Sequence, residues 1–380
     1  MKKFITDDMI LTKEIPTTAG SKMLDGYVSL FEAEALTRLF AKGYELAEKC
    51  DVGEFAIDLL GETSFKKPVY DNGTLTCPAA RALFDESISA AIVLDVNGYP
   101  RRAAAQSGLV SVKPTYGTVS RYGTIPVACS GECVSVIAKN ADDCAEFLCA
   151  ISGHDDNDGT SLSDEVCEKI KSGKQIKRVA LLKSMTEEID ADVKSKLDAA
   201  IDTLKANGID VCEVNDSIIC LSKAAWNTLM CAELCNNVSR YDGVKFGYRA
   251  ENFSGIDELY TNSRTEAFGE LLKTAILFGS EALSTDNYMK IYDKSLRTRR
   301  VIVEEFAKLF GEYDAVLTPA VSKTAYTEEF VTSDKHAVFE ENFYTAPSSI
   351  TGLPAVVAGG VQLIGPAFSE LFLLEAVKSL

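Results

Sequence analysis

The stretch from Arg178 to Val214 constrains the fold of this chain more than any other. Arg178–Leu182 reads as a buried apolar strand, Asp190 stands where a helix N-cap belongs, and Ala191–Asn207 has helical periodicity. Gly208 stops that helix, and Ile209–Val214 reads as a second strand. Two strands joined through one helix lie parallel with a right-handed crossover, and a parallel pair needs helices over its faces. Amphipathic patterns at Ser222–Tyr241, Arg264–Phe278 and Asp286–Phe310 supply them. Asp314–Leu317 follows as a short strand closed by Pro319, and Pro366–Leu380 reads as a final helix. Near the start, Ser29-Leu30-Phe31-Glu32 has the spacing of a capping box for a helix running to Lys42 and ending at Gly43. The expected architecture is α/β: a single domain over residues 1–380, with a large mixed β-sheet covered by helices on both faces.

Bulk properties exclude several classes of function. The net charge of −17 repels phosphate backbones, so direct nucleic-acid binding is not expected and any RNA must be carried by a partner. The apolar stretch around Ala355–Phe368 is too short for a bilayer and is interrupted by glycine and Gln362. The start turns acidic at Asp7 and Asp8, where a signal peptide would be apolar, and the expected location is cytoplasmic with no membrane partner. Eleven cysteines contain no Cys-x-x-Cys pair; Cys129/Cys133 and Cys231/Cys235 are four apart, as expected of small, buried, reduced hydrophobes. His154 and His336 lack the neighbours a metal site needs, and no Walker loop is present. No metal and no cofactor are expected.

The segment Gly108–Gly123 reads Gly-Leu-Val-Ser-Val-Lys-Pro-Thr-Tyr-Gly-Thr-Val-Ser-Arg-Tyr-Gly. It closely resembles the signature of the amidase signature family, with Ser111 in place of a glycine. Ile15–Leu24, Gly53-Glu54-Phe55-Ala56 and Asn140–Ser161 are similarly placed and spelled. Arg240–Arg249, Ser263–Gly269, Thr351–Pro354 and Gln362–Gly365 resemble the A subunits of aspartyl/glutamyl-tRNA amidotransferases more than general amidases. The resemblance runs nearly the whole chain, in order, and implies the amidase-signature fold.

It also implies a chemistry. Relatives hydrolyse amides with a lysine base in a Lys-Asp-Asn strand, a bridging serine in a cis peptide, and a nucleophilic serine in Gly-Gly-Ser-Ile-Arg. Amides of that turn form the oxyanion hole. Such a set needs a base of depressed pKa, a proton relay, an exposed hydroxyl and aimed donors. Here the lysine motif falls on Thr6-Asp7-Asp8, so Thr6 stands at the base position. The nucleophile motif falls on Asn97-Gly98-Tyr99-Pro100-Arg101, placing Tyr99 at the serine. The bridging loop falls on Gly73–Pro78, and Leu75, flanked by Thr74 and Thr76, meets the relay serine. Asp95, Asn97, Gly98 and Arg101 remain as remnants of the oxyanion turn. A phenol titrates near 10, with no lysine or histidine motif to activate it, and a tyrosine fills the space of an amide carbonyl. Losing a nucleophile alone costs on the order of 10⁶ in rate.

Two trims point the same way: the chain starts a few residues before the lysine strand, where relatives carry a helical segment, and Gly359-Gly360 runs straight into Val361, skipping a loop. The pocket is therefore expected to be incomplete. By resemblance, Arg299 is a candidate for binding a glutamine carboxylate; otherwise it belongs to a basic helix surface facing Glu304. Tyr248 is a candidate for the same pocket or a tyrosine packed against a helix. Three accounts stay open: a catalytically inactive scaffold or modulator docked on amidotransferase B and C subunits, an active amidase or glutaminase with a replaced catalytic set, and a decayed paralogue. Ammonia release, co-elution with the B and C subunits, and the sharpness of thermal unfolding separate them.

Overall fold

Every residue of the strand Cys133–Ala138 is buried, and so is nearly every residue of Ile88–Asp95, as happens only where helices cover both faces of a sheet. The computed structural model describes residues 2–172 and 175–380. Its strands are β1 (Lys3–Asp7), β2 (Glu45–Cys50), β3 (Tyr70–Asp71), β4 (Thr74–Leu75), β5 (Ile88–Asp95), β6 (Val110–Lys113), β7 (Cys133–Ala138), β8 (Arg178–Leu182), β9 (Asp210–Val214), β10 (Ala315–Pro319), β11 (Ala355–Ala358) and β12 (Val361–Ile364). Ten of them form one sheet in the order β2-β1-β5-β7-β6-β11-β12-β10-β8-β9, while β3 and β4 make a separate hairpin. The sheet is mixed. β1 is parallel to β2 and β5, β8 is parallel to β9 and β10, and the strands between alternate antiparallel.

The crossover read from the sequence is present: β8, the helix Ala191–Ala206 and β9 form a parallel unit in register from Arg178↔Asp210 to Leu182↔Val214. Asp190 caps that helix by position only, its carboxylate turning instead to Lys323. The Ser29 capping box does not form. The helix begins at Glu34 behind Ala33, and the Ser29 hydroxyl pairs with Phe31 of its own turn. A short local turn satisfies that serine before a helix can use it.

The expected helix Arg264–Phe278 is two, Ile256–Ala267 and Glu270–Ala282, parted at Gly269. The buried Glu54 carboxylate accepts the Gly269 N–H at 2.8 Å, which fixes the break. Strand β10 begins one residue after Asp314, and the last α-helix is confined to Glu370–Ala376. Gly359 and Gly360, at φ 58° and 84°, turn β11 directly into β12. Two adjacent left-handed residues make a two-residue hairpin, which is how the chain dispenses with the loop of its relatives.

Candidate functional site

The glycine turn follows β5. Gly98 takes φ 88° at the N-cap of the helix Tyr99–Ser107, and a Cβ there would lie 2.4 Å from the Thr345 Cβ. Only glycine fits. Asp95 Oδ1 accepts the Gly98 N–H at 2.9 Å, and its two oxygens accept Arg101 Nη2 at 3.2 Å and Nε at 2.7 Å. Both side chains are wholly buried. Burial opposes ionisation of Asp95, but the Arg101 guanidinium outweighs it and holds the carboxyl below its usual range. Arg101 also donates to Thr345 O, Gln362 Oε1 and Ser349 Oγ, which ties the turn to the helix Val338–Thr351 and to β12. Asn97 donates to Ile57 O and accepts from Trp226 Nε1, each at 3.0 Å. The remnants of the oxyanion turn are thus brought together and fully bonded.

Of the three positions singled out by sequence, Tyr99 lies at this turn, Thr6 lies on the neighbouring strand β1, and Leu75 lies on the β3–β4 hairpin. Tyr99 is 2% exposed and its hydroxyl donates to Asp7 Oδ2 at 2.5 Å. The same carboxylate accepts Leu94 N–H at 2.8 Å and Met9 N–H at 3.1 Å. Burial pushes Asp7 up to about 6 despite these donors, and burial together with the Asp7 charge pushes the Tyr99 phenol well above its ordinary value. Thr6 is buried and donates its hydroxyl to Ile92 O at 2.9 Å, within the β1–β5 pairing. Leu75 is buried on β4, its N–H held by Tyr326 O. Cys77, two residues on, lies close enough to Asp7 and Tyr99 for their charges to be felt, and burial pushes its thiol up to about 12. Neither the Tyr99 phenol nor the Cys77 thiol ionises readily at neutral pH, whereas the Asp7 carboxyl beside them does. Among the described residues there is no cis peptide bond and no group of His, Cys, Asp and Glu able to hold a metal ion.

A lysine does stand nearby. Lys49 pairs with Thr6 in the β1–β2 register, but its amine is taken by Asp8 Oδ1 at 3.4 Å, Thr17 Oγ1 at 2.5 Å and Thr12 Oγ1 at 3.3 Å. Burial lowers its pKa against the pull of Asp8 and Asp7. Sequence reading misses Lys49, Asp7 as a partner for Tyr99, Cys77, and the buried Arg102, which donates to the carbonyls of Asp58, Asn97 and Leu59. Asp7 belongs to the lysine motif itself. Its contact with a residue 92 positions away has no local signal.

Among the described residues neither substrate-binding candidate hydrogen-bonds Tyr99. Arg299 is half-buried and donates to Ser130 O at 3.0 Å, and the neighbour that pairs with Glu304 is Arg300. Tyr248 donates to Glu266 at 2.6 Å beneath the Lys22 amine, so it packs at the surface of another cavity. His154 sits with Asp156 on an exposed loop, and His336 lies against Thr274.

A ten-stranded mixed sheet with a glycine turn locked by a buried Asp–Arg pair defines the amidase class of α/β proteins. The Amidase family profile matches residues 87–374, and the chain belongs to that family. It is 32% identical to the A subunit of glutamyl-tRNA(Gln) amidotransferase from Geobacter metallireducens, over 98% of this chain and 81% of that one. It is 34% identical to the protein of the same name from Streptococcus pneumoniae, over 98% and 80%. The crystal structure of the A subunit of glutamyl-tRNA(Gln) amidotransferase from Thermotoga maritima superposes with a TM-score of 0.80 at 28% identity, covering 98% of this chain and 81% of that one. A crystal structure of an amidase at 20% identity and TM-score 0.78 shares the fold.

Proposed function

We propose that this chain is an amidotransferase A-subunit-like protein that has given up amide hydrolysis and serves as a cytoplasmic scaffold or modulator of an amidotransferase assembly. One observation carries the reading: the position of the attacking hydroxyl holds a fully buried phenol, hydrogen-bonded to Asp7 at 2.5 Å. A nucleophile must be exposed and deprotonated during attack. Burial and the Asp7 charge oppose both for Tyr99, and Thr6 and Leu75 offer neither a base nor a relay. The nearby Lys49 amine is bound to Asp8 and to threonine hydroxyls rather than to a serine. The identity to A subunits, spread over nearly the whole chain, supports retention of the scaffold on which B and C subunits assemble.

The test has two arms. Purified protein is incubated with glutamine and with asparagine and ammonia is measured; no turnover above buffer is expected. Turnover abolished by Tyr99→Phe overturns the reading in favour of a replaced catalytic set. Co-expression with the B and C subunits followed by size exclusion is expected to give a shared peak. An isolated monomer with a broad, low-temperature unfolding transition makes decay the better account.

A further inference from the structure

The turn from Lys22 to Tyr27, the end of the helix Ser222–Val238 and the loop at Phe246–Tyr248 enclose a cavity of about 900 Å³. Met23 and Tyr241 form a buried apolar floor, and Phe246 stands at the rim, 59% exposed. The apolar surface continues from Tyr27 along Val28, Leu30 and Phe31, with Leu30 93% exposed. Phe31 stacks on Tyr122 with ring centroids 5.0 Å apart, and Tyr122 lies three residues from Ile125 in the cavity wall. Through Tyr27, which lines the cavity, the exposed strip adjoins it, giving a groove with an apolar approach.

Charge indicates what fits it. The chain carries −17, yet Lys22, Arg240, Lys245 and Arg249 gather on the segments around this groove. Lys22 lies over the Tyr248 ring, Arg249 over Phe253, and Arg240 bonds only Asn237; among the described residues none of the four forms an ion pair with a carboxylate. The acids facing these segments are Asp25, Asp242, which is engaged by the N–H groups of Val244 and Lys245, and Glu266, which is engaged by the Tyr248 hydroxyl. Unpaired cations around an exposed aromatic groove complement a ligand with apolar anchors and carboxylates.

We propose that this groove docks an acidic, amphipathic polypeptide segment of a partner protein. One apolar side chain enters the cavity beside Phe246, another lies over Leu30 and Phe31, and carboxylates face Lys22 and Arg240. The proposal rests on the scaffold reading and names the surface that reading requires.

The experiment uses the full chain with co-expressed, purified B and C subunits, measuring affinity for the wild type and for two double variants, Lys22→Glu/Arg240→Glu and Leu30→Ser/Phe246→Ser. All four side chains are exposed or half-buried, and a thermal melt confirms folding. Leu277→Ser, on an exposed site of the helix Glu270–Ala282, serves as control. The expected result is at least a tenfold loss of affinity for both double variants, none for the control, and weakening of the wild-type complex with added salt. Folded double variants that bind like wild type overturn the groove proposal and leave the scaffold reading intact. Failure of the wild type to bind either partner overturns both. A complex that dissolves on ribonuclease treatment shows RNA in the groove and overturns the polypeptide assignment.

Discussion

The glycine turn and the cluster at Tyr99 beside it are held together by different kinds of bond. In the turn, Asp95, Gly98 and Arg101 are locked by a buried ion pair with its donors matched. Facing it, Thr6, Leu75 and Tyr99 are packing residues whose polar atoms are spent on Ile92 O and Asp7. The turn survives because it is also structural: a buried ion pair cannot lose one member without stranding the other charge. At the other positions the ties are single hydrogen bonds, Tyr99 to Asp7 and Thr6 to Ile92 O, and packing.

The contrast can be broken or sharpened by substitution. Arg101→Ala should have the largest effect, removing about 3–5 kcal/mol by leaving Asp95 charged and unpaired, read as a drop in the urea midpoint or as failure to fold. Tyr99→Ala should cost about 3–4 kcal/mol through the cavity it leaves; a smaller loss means that the pocket collapses, and a gain of amidase activity would break the contrast outright. Tyr99→Phe should cost about 1–2 kcal/mol, because Asp7 keeps two backbone donors and loses one.

The Tyr99→Phe variant also has a signature in pH. Asp7 sits at about 6 in the folded protein against an ordinary value of 3.8, so the folded state binds the extra proton and stability falls as pH rises from about 4 to about 6. The Tyr99 hydroxyl lowers that value, and removing it should extend the falling limb above pH 6 in stability-versus-pH measurements.

Glu54 provides a comparison outside the site. Burial pushes it up to about 7, against the donors Ser21 Oγ and Gly269 N–H. Glu54→Gln can keep both partners, with its oxygen on Gly269 and its amide on the Ser21 oxygen. The variant should match wild type near pH 4 and exceed it by about 3 kcal/mol at pH 8, flattening the loss between about 4.5 and 7. An unchanged slope would mean that Glu54 stays ionised. Smallest of all, Gly208→Ala should cost about 1 kcal/mol, since φ 77° disfavours alanine but nothing crowds the Cβ. Gly98→Ala, with the same handedness against Thr345, should cost several times more.

Much of the architecture was written locally. The β8–helix–β9 unit could be read because apolar runs and Gly208 mark its parts, and the helices Ser222–Val238 and Tyr292–Leu309 emerged from periodicity with ends misplaced by a few residues. The break at Gly269 could not be read, since it depends on Glu54 reaching across from another segment. The Ser29 signal misled because a nearer backbone partner competed for the hydroxyl.

For the site, sequence alone determined which chemical groups are available: position 6 holds a threonine and position 99 a tyrosine, and no packing can turn either into lysine or serine. Tertiary structure decided what the replacements do. It set the Tyr99 hydroxyl on Asp7, occupied Lys49 with Asp8, and placed Arg299 on Ser130 O and Tyr248 on Glu266. The reason is physical: residue identity limits which bonds a group can make, while distance and burial, set by the whole fold, choose which of them form and where each proton resides.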